Sequence, residues 1–190
     1  MGKERLMAFT DAVLAIVMTI LVLELERPET ATLAALWALK ENFFAYALSF
    51  FWLGTMWVNL HNEWHGIRQI SNAVVWWSVV LLFFSSLIPY AIRFVNVDYN
   101  SGITQGFYGI MVLLVTLSNV GLSRALEKAN HAEEDVQAGI ARSRKRLYLD
   151  IGIKLAGLAL TLTIYPSAML ICVLITMVFM MVPTRRKSYE

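Results

Sequence analysis

Six apolar stretches run through this chain, separated by short polar or charged segments, at about 5–25, 43–60, 73–92, 107–122, 147–164 and 168–182. A helix needs roughly 20 apolar residues to cross the ~30 Å hydrocarbon core of a bilayer, and each stretch reaches or approaches that length. Pro28 and Thr30 end the first, after which a new helix starts near Ala31. Pro89 lies near the far end of the third, Tyr165-Pro166-Ser167 forms a tight turn before the sixth, and Pro183 closes it. Residues 61–68 and 96–102 read as polar connectors, and 123–146 as a charged helical extension in water. The pattern predicts an all-α integral membrane protein with one six-span domain over 1–190. The first stretch has the length of a signal peptide, yet it lacks a small-residue cleavage site and Glu24, Glu26 and Arg27 follow it, so a retained helix is expected.

Charge placement orients these spans. With six spans both termini share one side, which then holds Lys3, Arg5, Arg68, Arg124, Lys128, Arg142, Arg144, Lys145, Arg146, Arg185, Arg186 and Lys187. The opposite side holds only Arg27, Lys40 and Arg93. Lys and Arg concentrate in cytoplasmic loops, so both termini are expected in the cytoplasm, with the chain a multi-pass protein of the cell's inner (plasma) membrane. Composition agrees: 58% of the 190 residues are hydrophobic and 16% charged, against about 25% charged in soluble domains. The single cysteine, Cys172, excludes a disulfide framework within the chain. Trp37, Trp57, Trp64, Trp76 and Tyr90 fall near span ends, most of them read as an interfacial aromatic belt.

The first helix is the most informative. Asp11 sits inside an apolar span, where an ionisable group needs a partner or water. At ~100° per residue, Ile20, Leu23 and Arg27 fall near Ile16 on one face, Thr19 about 60° from it and Asp11 roughly 140° away. If the Ile16–Ile20–Leu23 stripe faces an axis, Asp11 faces the subunit's own bundle. Periodicity alone leaves two readings of the stripe open. It is a lipid- or bundle-facing surface, or it is a ring of apolar side chains that constricts a pore and gates by dewetting.

The segment Arg5-x-x-x-Phe9-Thr10-Asp11, followed by AVLAIVMTILVLEL, resembles the R-x-x-x-F-S-D signature of the transmembrane protein 175 family of lysosomal and endosomal potassium channels and their bacterial single-repeat relatives. The resemblance continues through Ser49-Phe50, Trp57 and His61 in the second span and LLFFSSLIPY in the third, covering roughly the first half of the chain. Thr10 stands where the family has serine, and Ser78 where relatives often carry asparagine. What the resemblance implies is a homotetramer around a central pore, lined by the first helix, with no carbonyl-type selectivity filter. Ile16 matches the constricting residue, Ile20 and Leu23 further apolar layers, and Thr19 the threonine associated with selectivity. Arg5, Phe9, Thr10, Asp11 and His61 match a structural polar network that locks the first helix to its neighbours. The permeant ion is then potassium, with other monovalent cations, the bilayer and further copies of the chain as partners, and no cofactor.

Other constellations are weaker. A back-bond to a carbonyl one turn earlier is the alternative use of the Thr19 hydroxyl. Glu24 and Glu26 lie at the expected outer mouth, where symmetry would multiply them into acidic rings that gather cations. The alternative is a solvated helix end. His61 and His65 are four apart, but no third ligand lies nearby and His61-Asn-Glu-Trp-His65 is not H-E-x-x-H, so no metal site is expected. Asp150 and Lys154 read as an i,i+4 charge pair near the cytoplasmic surface. The cluster 142–146 reads as a contact to anionic lipid rather than nucleic acid. No nucleophile–base set or phosphate-binding loop is found, so an enzyme is not expected. The runner-up to a channel is a secondary transporter or proton-coupled cation exchanger, a class built on repeats and broken midplane helices.

Overall fold

The computed structural model describes residues 2–64, 66–131 and 134–181, the side chains of 134–138 excepted. Among these the protein is all helical, with eight α-helices: α1 (Lys3–Ile20), α2 (Leu33–Ala38), α3 (Lys40–Trp64), α4 (Asn72–Ser86), α5 (Ile88–Val97), α6 (Gly102–Ala129), α7 (Glu134–Thr163) and α8 (Ala168–Met181). A 3-10 turn, Leu21–Glu24, extends α1. Four segments are long and apolar enough to cross a membrane: Lys3–Glu24, Lys40–Trp64, Asn72–Val97 and Gly102–Ala129. α7 is long but carries charge along its first half, and α8 is apolar but has 14 residues. At 1.5 Å per residue α8 reaches only ~21 Å.

The third apolar stretch is two helices. Pro89 sits in the first turn of α5 and cannot donate the N–H that a continuous helix requires there. Leu87 closes α4 with a short bond from its N–H to Phe84 O at 3.2 Å. Ser85 and Ser86 turn their hydroxyls back to Leu81 O and Phe83 O. Such back-bonding bends helices. Three helix starts carry the hydroxyl caps that their sequences lead one to expect. Ser71 accepts from Val74 N, and Ser101 from Ile103 N, while Thr32 accepts from Ala35 N.

α6 is the hub. It packs against α4, α5, α7 and α8, and Tyr108, Val112, Val115, Leu122 and Leu126 are fully enclosed on it. Close approach is set by small residues. A Cβ on Gly121 would stand 2.5 Å from the Trp77 ring of α4, and one on Gly157 would stand 2.8 Å from Cys172 Sγ of α8. Tyr108 and Ser49 share a buried hydroxyl–hydroxyl bond of 2.9 Å that ties α6 to α3. The connector before α4 is held by Asn130 and by Lys3, whose Nζ donates to Ile67 O at 2.7 Å. Asn130 Oδ1 accepts from the backbone N–H of Arg68 and Gln69, and its amide donates to Gln69 O. Trp64, expected among the interfacial aromatics, is instead in the core, whereas Trp37, Trp76 and Tyr90 are exposed. Residues 182–190 and His65 lie outside the described residues, and with them Pro183, the terminal Arg185-Arg186-Lys187 run and the second half of the His61/His65 pair.

Candidate functional site

α1 is peripheral within the protomer, resting on α3, α4 and α5. Its buried residues are Leu6, Thr10, Leu14 and Val17, continued by Leu21 of the 3-10 turn. Their spacing of three and four makes a single stripe. Away from that stripe, large apolar side chains stay open to the outside of the chain: Ile16 is 57% exposed, Ile20 38% and Leu23 76%. Ile20 ends the α-helix and Leu23 follows three residues on, in a 3-10 turn where residues three apart eclipse. The change of helix type therefore keeps Leu23 in line with Ile20. Arg27, which an unbroken helix would set on this face, lies beyond the helical segment. Arg5 and Phe9 lie on the same face toward the N-terminus, and both are exposed.

Thr19 is exposed beside the stripe, and its Oγ1 donates to Ile16 O at 2.8 Å. The back-bond uses the hydroxyl's only proton and leaves the oxygen's lone pairs free to accept. Donation to the backbone and acceptance from outside are thus compatible at one atom.

The buried side of α1 meets α3 at a small cleft lined by Thr10, Asp11, Trp57, His61 and Trp64. Trp57 Nε1 donates to Asp11 Oδ1 at 2.8 Å. The Trp57 and His61 rings, one helical turn apart, lie 5.6 Å centroid to centroid. Thr10 is buried and back-bonds to Leu6 O. Of the five residues named from the sequence for a polar network, three (Thr10, Asp11 and His61) line this cleft, while Arg5 and Phe9 do not. Trp57, which sequence reasoning treated as a belt residue, supplies Asp11's partner. The signal available was its position one turn before His61 on the same helix.

At the far end of α1, Glu24 is turned toward α5 rather than outward. Arg93 Nε lies 4.0 Å from its carboxylate, and Asn96 donates to its backbone oxygen at 2.9 Å. Glu26 is exposed. Asp150 and Lys154 do pair, at 2.7 Å, but the pair lies inside the bundle and not at the surface. Lys154 is completely enclosed, donates also to Thr116 Oγ1 at 2.9 Å, and stands 4.9 Å from the centre of the Trp52 ring. The reason is that α7 enters the protomer between α6 and α8, so its polar turn faces α6. Among the described residues no three His, Cys, Asp or Glu side chains come together as a metal site.

A potassium channel of Chryseobacterium sp. (strain P1-3) is 31% identical over 166 residues, covering 87% of this chain and 85% of the relative. The sequence model for the endosomal/lysosomal potassium channel TMEM175 matches residues 5–89. The chain belongs to the TMEM175 family. A second relative, a potassium channel of Streptomyces collinus, is 25% identical over 150 residues, covering 74% of this chain and 73% of the relative. The fold agrees with the crystal structure of a lysosomal potassium-selective channel TMEM175 homolog from Chamaesiphon minutus, with a TM-score of 0.81 over 93% of this chain and 95% of that one, at 22% identity. Family membership and the apolar helices make this a multi-pass membrane protein, and its relatives are channels rather than enzymes.

Proposed function

We propose that the chain is a subunit of a potassium-permeable cation channel, a homotetramer in which α1 of each copy lines a central pore. The observation that carries this is the two-sidedness of α1. One face is packed into the protomer by Leu6, Leu14, Val17 and Leu21, while Ile16, Ile20 and Leu23 project from the other. Four copies about an axis bring these side chains into three stacked apolar rings. Such rings exclude hydrated ions when narrow and admit them after a small rotation or outward shift of the helix. Ile16 forms the constriction, with Ile20 and Leu23 as further layers. Thr19 sits between the first two layers and presents an oxygen that can replace part of a cation's hydration shell. No carbonyl filter is needed in this scheme.

The cleft of Thr10, Asp11, Trp57 and His61 has a different role, fixing the rotation of α1 against α3, with Arg5 and Phe9 completing that end in the tetramer. Glu26 makes the outer mouth acidic, and Glu24, turned toward Arg93 of α5, adds its negative charge from beside it. Each subunit crosses the membrane six times as one domain, with α4 and α5 together as the third span and α7 and α8 contributing the last two. Both termini face the cytoplasm, and the membrane is the inner (plasma) membrane.

The test is ion flux through the purified protein in liposomes. Ile16→Asn is expected to raise potassium flux and reduce discrimination against sodium. Unchanged flux and selectivity count against the pore, and saturable uptake that requires a counter-ion points to an exchanger instead.

A further inference from the structure

Apart from α1, the protomer encloses a second polar centre. α3, α6, α7 and α8 surround a cavity of about 30 Å³, lined among others by Thr55, Asn59, Asn119, Asp150 and Thr176. Two of these side chains are more than nine-tenths buried and present an oxygen that accepts no hydrogen bond from the protein: Asp150 Oδ1 and Asn119 Oδ1. The donors around them that form hydrogen bonds direct them elsewhere. Lys154 gives its protons to Asp150 Oδ2 and Thr116 Oγ1 and faces the Trp52 ring. Asn59 donates to Thr55 O, and the Thr55 and Thr176 hydroxyls donate to backbone oxygens of their own helices.

We propose that this cavity is a water site, holding one or two waters that donate to Asp150 Oδ1 and Asn119 Oδ1 and keep the Asp150–Lys154 pair ionised inside the bundle. The volume suits it, since one water needs roughly 10–15 Å³ of such space. The chemistry suits it too: two buried oxygens that accept no hydrogen bond call for a molecule that brings hydrogens. A metal cation is the wrong ligand. Lys154 already stands 2.7 Å from the same carboxylate, and a second positive charge beside it meets like-charge repulsion in a poorly screened interior. An aliphatic lipid chain is wrong as well, because it satisfies neither oxygen. Buried charges persist only when paired and fully hydrogen-bonded, and Asp150 reaches that state only with the added donor. The cavity's rim is marked by Met180, whose carbonyl accepts from Arg146 at 2.8 Å.

The site is lined by Met56 and Met177, both 7% exposed, whereas Met169 is fully buried elsewhere between α6 and α7. Brief X-ray radiolysis of the purified wild-type protein generates hydroxyl radicals from confined water, and mass spectrometry reads oxygen added to nearby methionines. Met56 and Met177 are expected to be oxidised several-fold faster than Met169. Rates as low as that of Met169 overturn the proposal. As a second measure, Asn119→Leu fills the cavity and leaves Asp150 without its donor, so the melting temperature in detergent is expected to fall. An unchanged or higher melting temperature means the site is dry and overturns the proposal equally. Neither readout depends on ion conduction, so the result stands apart from the pore.

Discussion

Trp57 donates its indole N–H to Asp11 across the α1–α3 contact at 2.8 Å, and this bond points Asp11 into the protomer while Ile16 points away from it. The recognisable motif and the plain apolar stripe therefore sit on different faces of one helix. Trp57→Phe keeps most of the ring and removes the donor. We expect a loss of about 1 kcal/mol, the usual net worth of one hydrogen bond, because the indole is partly exposed. Thermal unfolding in detergent checks it. Asp11→Asn retains an acceptor and should cost less than Asp11→Ala in the same assay.

Thr19 tests the role of one oxygen. Thr19→Ser keeps the hydroxyl, and Thr19→Val keeps the shape without it. Thr19→Val is expected to lower potassium-over-sodium permeability about threefold, equivalent to roughly 0.6 kcal/mol, with Thr19→Ser near wild type. Bi-ionic reversal potentials in planar bilayers give the ratio. Equal ratios in all three proteins would mean the hydroxyl serves only its bond to Ile16 O.

The Asp150–Lys154 pair predicts a non-additive series. Removing one partner strands a buried charge, and such changes cost about 3–5 kcal/mol. Lys154→Met alone should thus yield a protein that aggregates on extraction or melts far below wild type. Asp150→Leu with Lys154→Met removes both charges and should recover most of that loss, as judged by gel filtration after heating.

Gly121 carries the approach of α6 to α4. Gly121→Ala sets a methyl carbon 2.5 Å from the Trp77 ring, and overpacking of this kind costs about 1–3 kcal/mol. Trp77 is partly exposed, so Trp77→Leu should restore room and most of the stability. Melting temperatures of the two single variants and the double variant decide it.

Glu24 predicts an effect on flux without one on folding. Its contact with Arg93 is long and Arg93 is largely exposed, and exposed pairs contribute little. Glu24→Gln should leave the melting temperature unchanged and reduce potassium flux at low salt. The difference should vanish near 1 M salt, where the screening length is roughly 3 Å.

Much of the architecture was legible because apolar runs and helix periodicity are one-dimensional signals. The opposite faces of Asp11 and Ile16 follow from a rotation of ~100° per residue, and the structure sets the two residues on opposite sides of α1. Pro89 was visible as a break signal, yet its position inside a continuous apolar run hid that α4 and α5 are separate helices. The long-range partners were not legible. Nothing local says that Asn130 clamps the backbone at Arg68 and Gln69, or that Lys154 meets Thr116 and Trp52. Those contacts arise from how α6 and α7 pack, and the i,i+4 spacing of Asp150 and Lys154 gives their pairing without their depth. Arg5 and Phe9 show the reverse case, in which a motif groups residues that the helix distributes over two faces.

The central claim is that four copies of Ile16 meet at an axis. A single cysteine there, Ile16→Cys in a Cys172→Ala background, puts four thiols around the pore. Soft thiolate ligands hold divalent cadmium well, so cadmium should block potassium efflux from liposomes, with flux restored by a chelator, while Cys172→Ala alone is unaffected. Potassium efflux through Ile16→Cys that continues unchanged in cadmium would contradict the account, because it would place Ile16 against lipid rather than around the ion path.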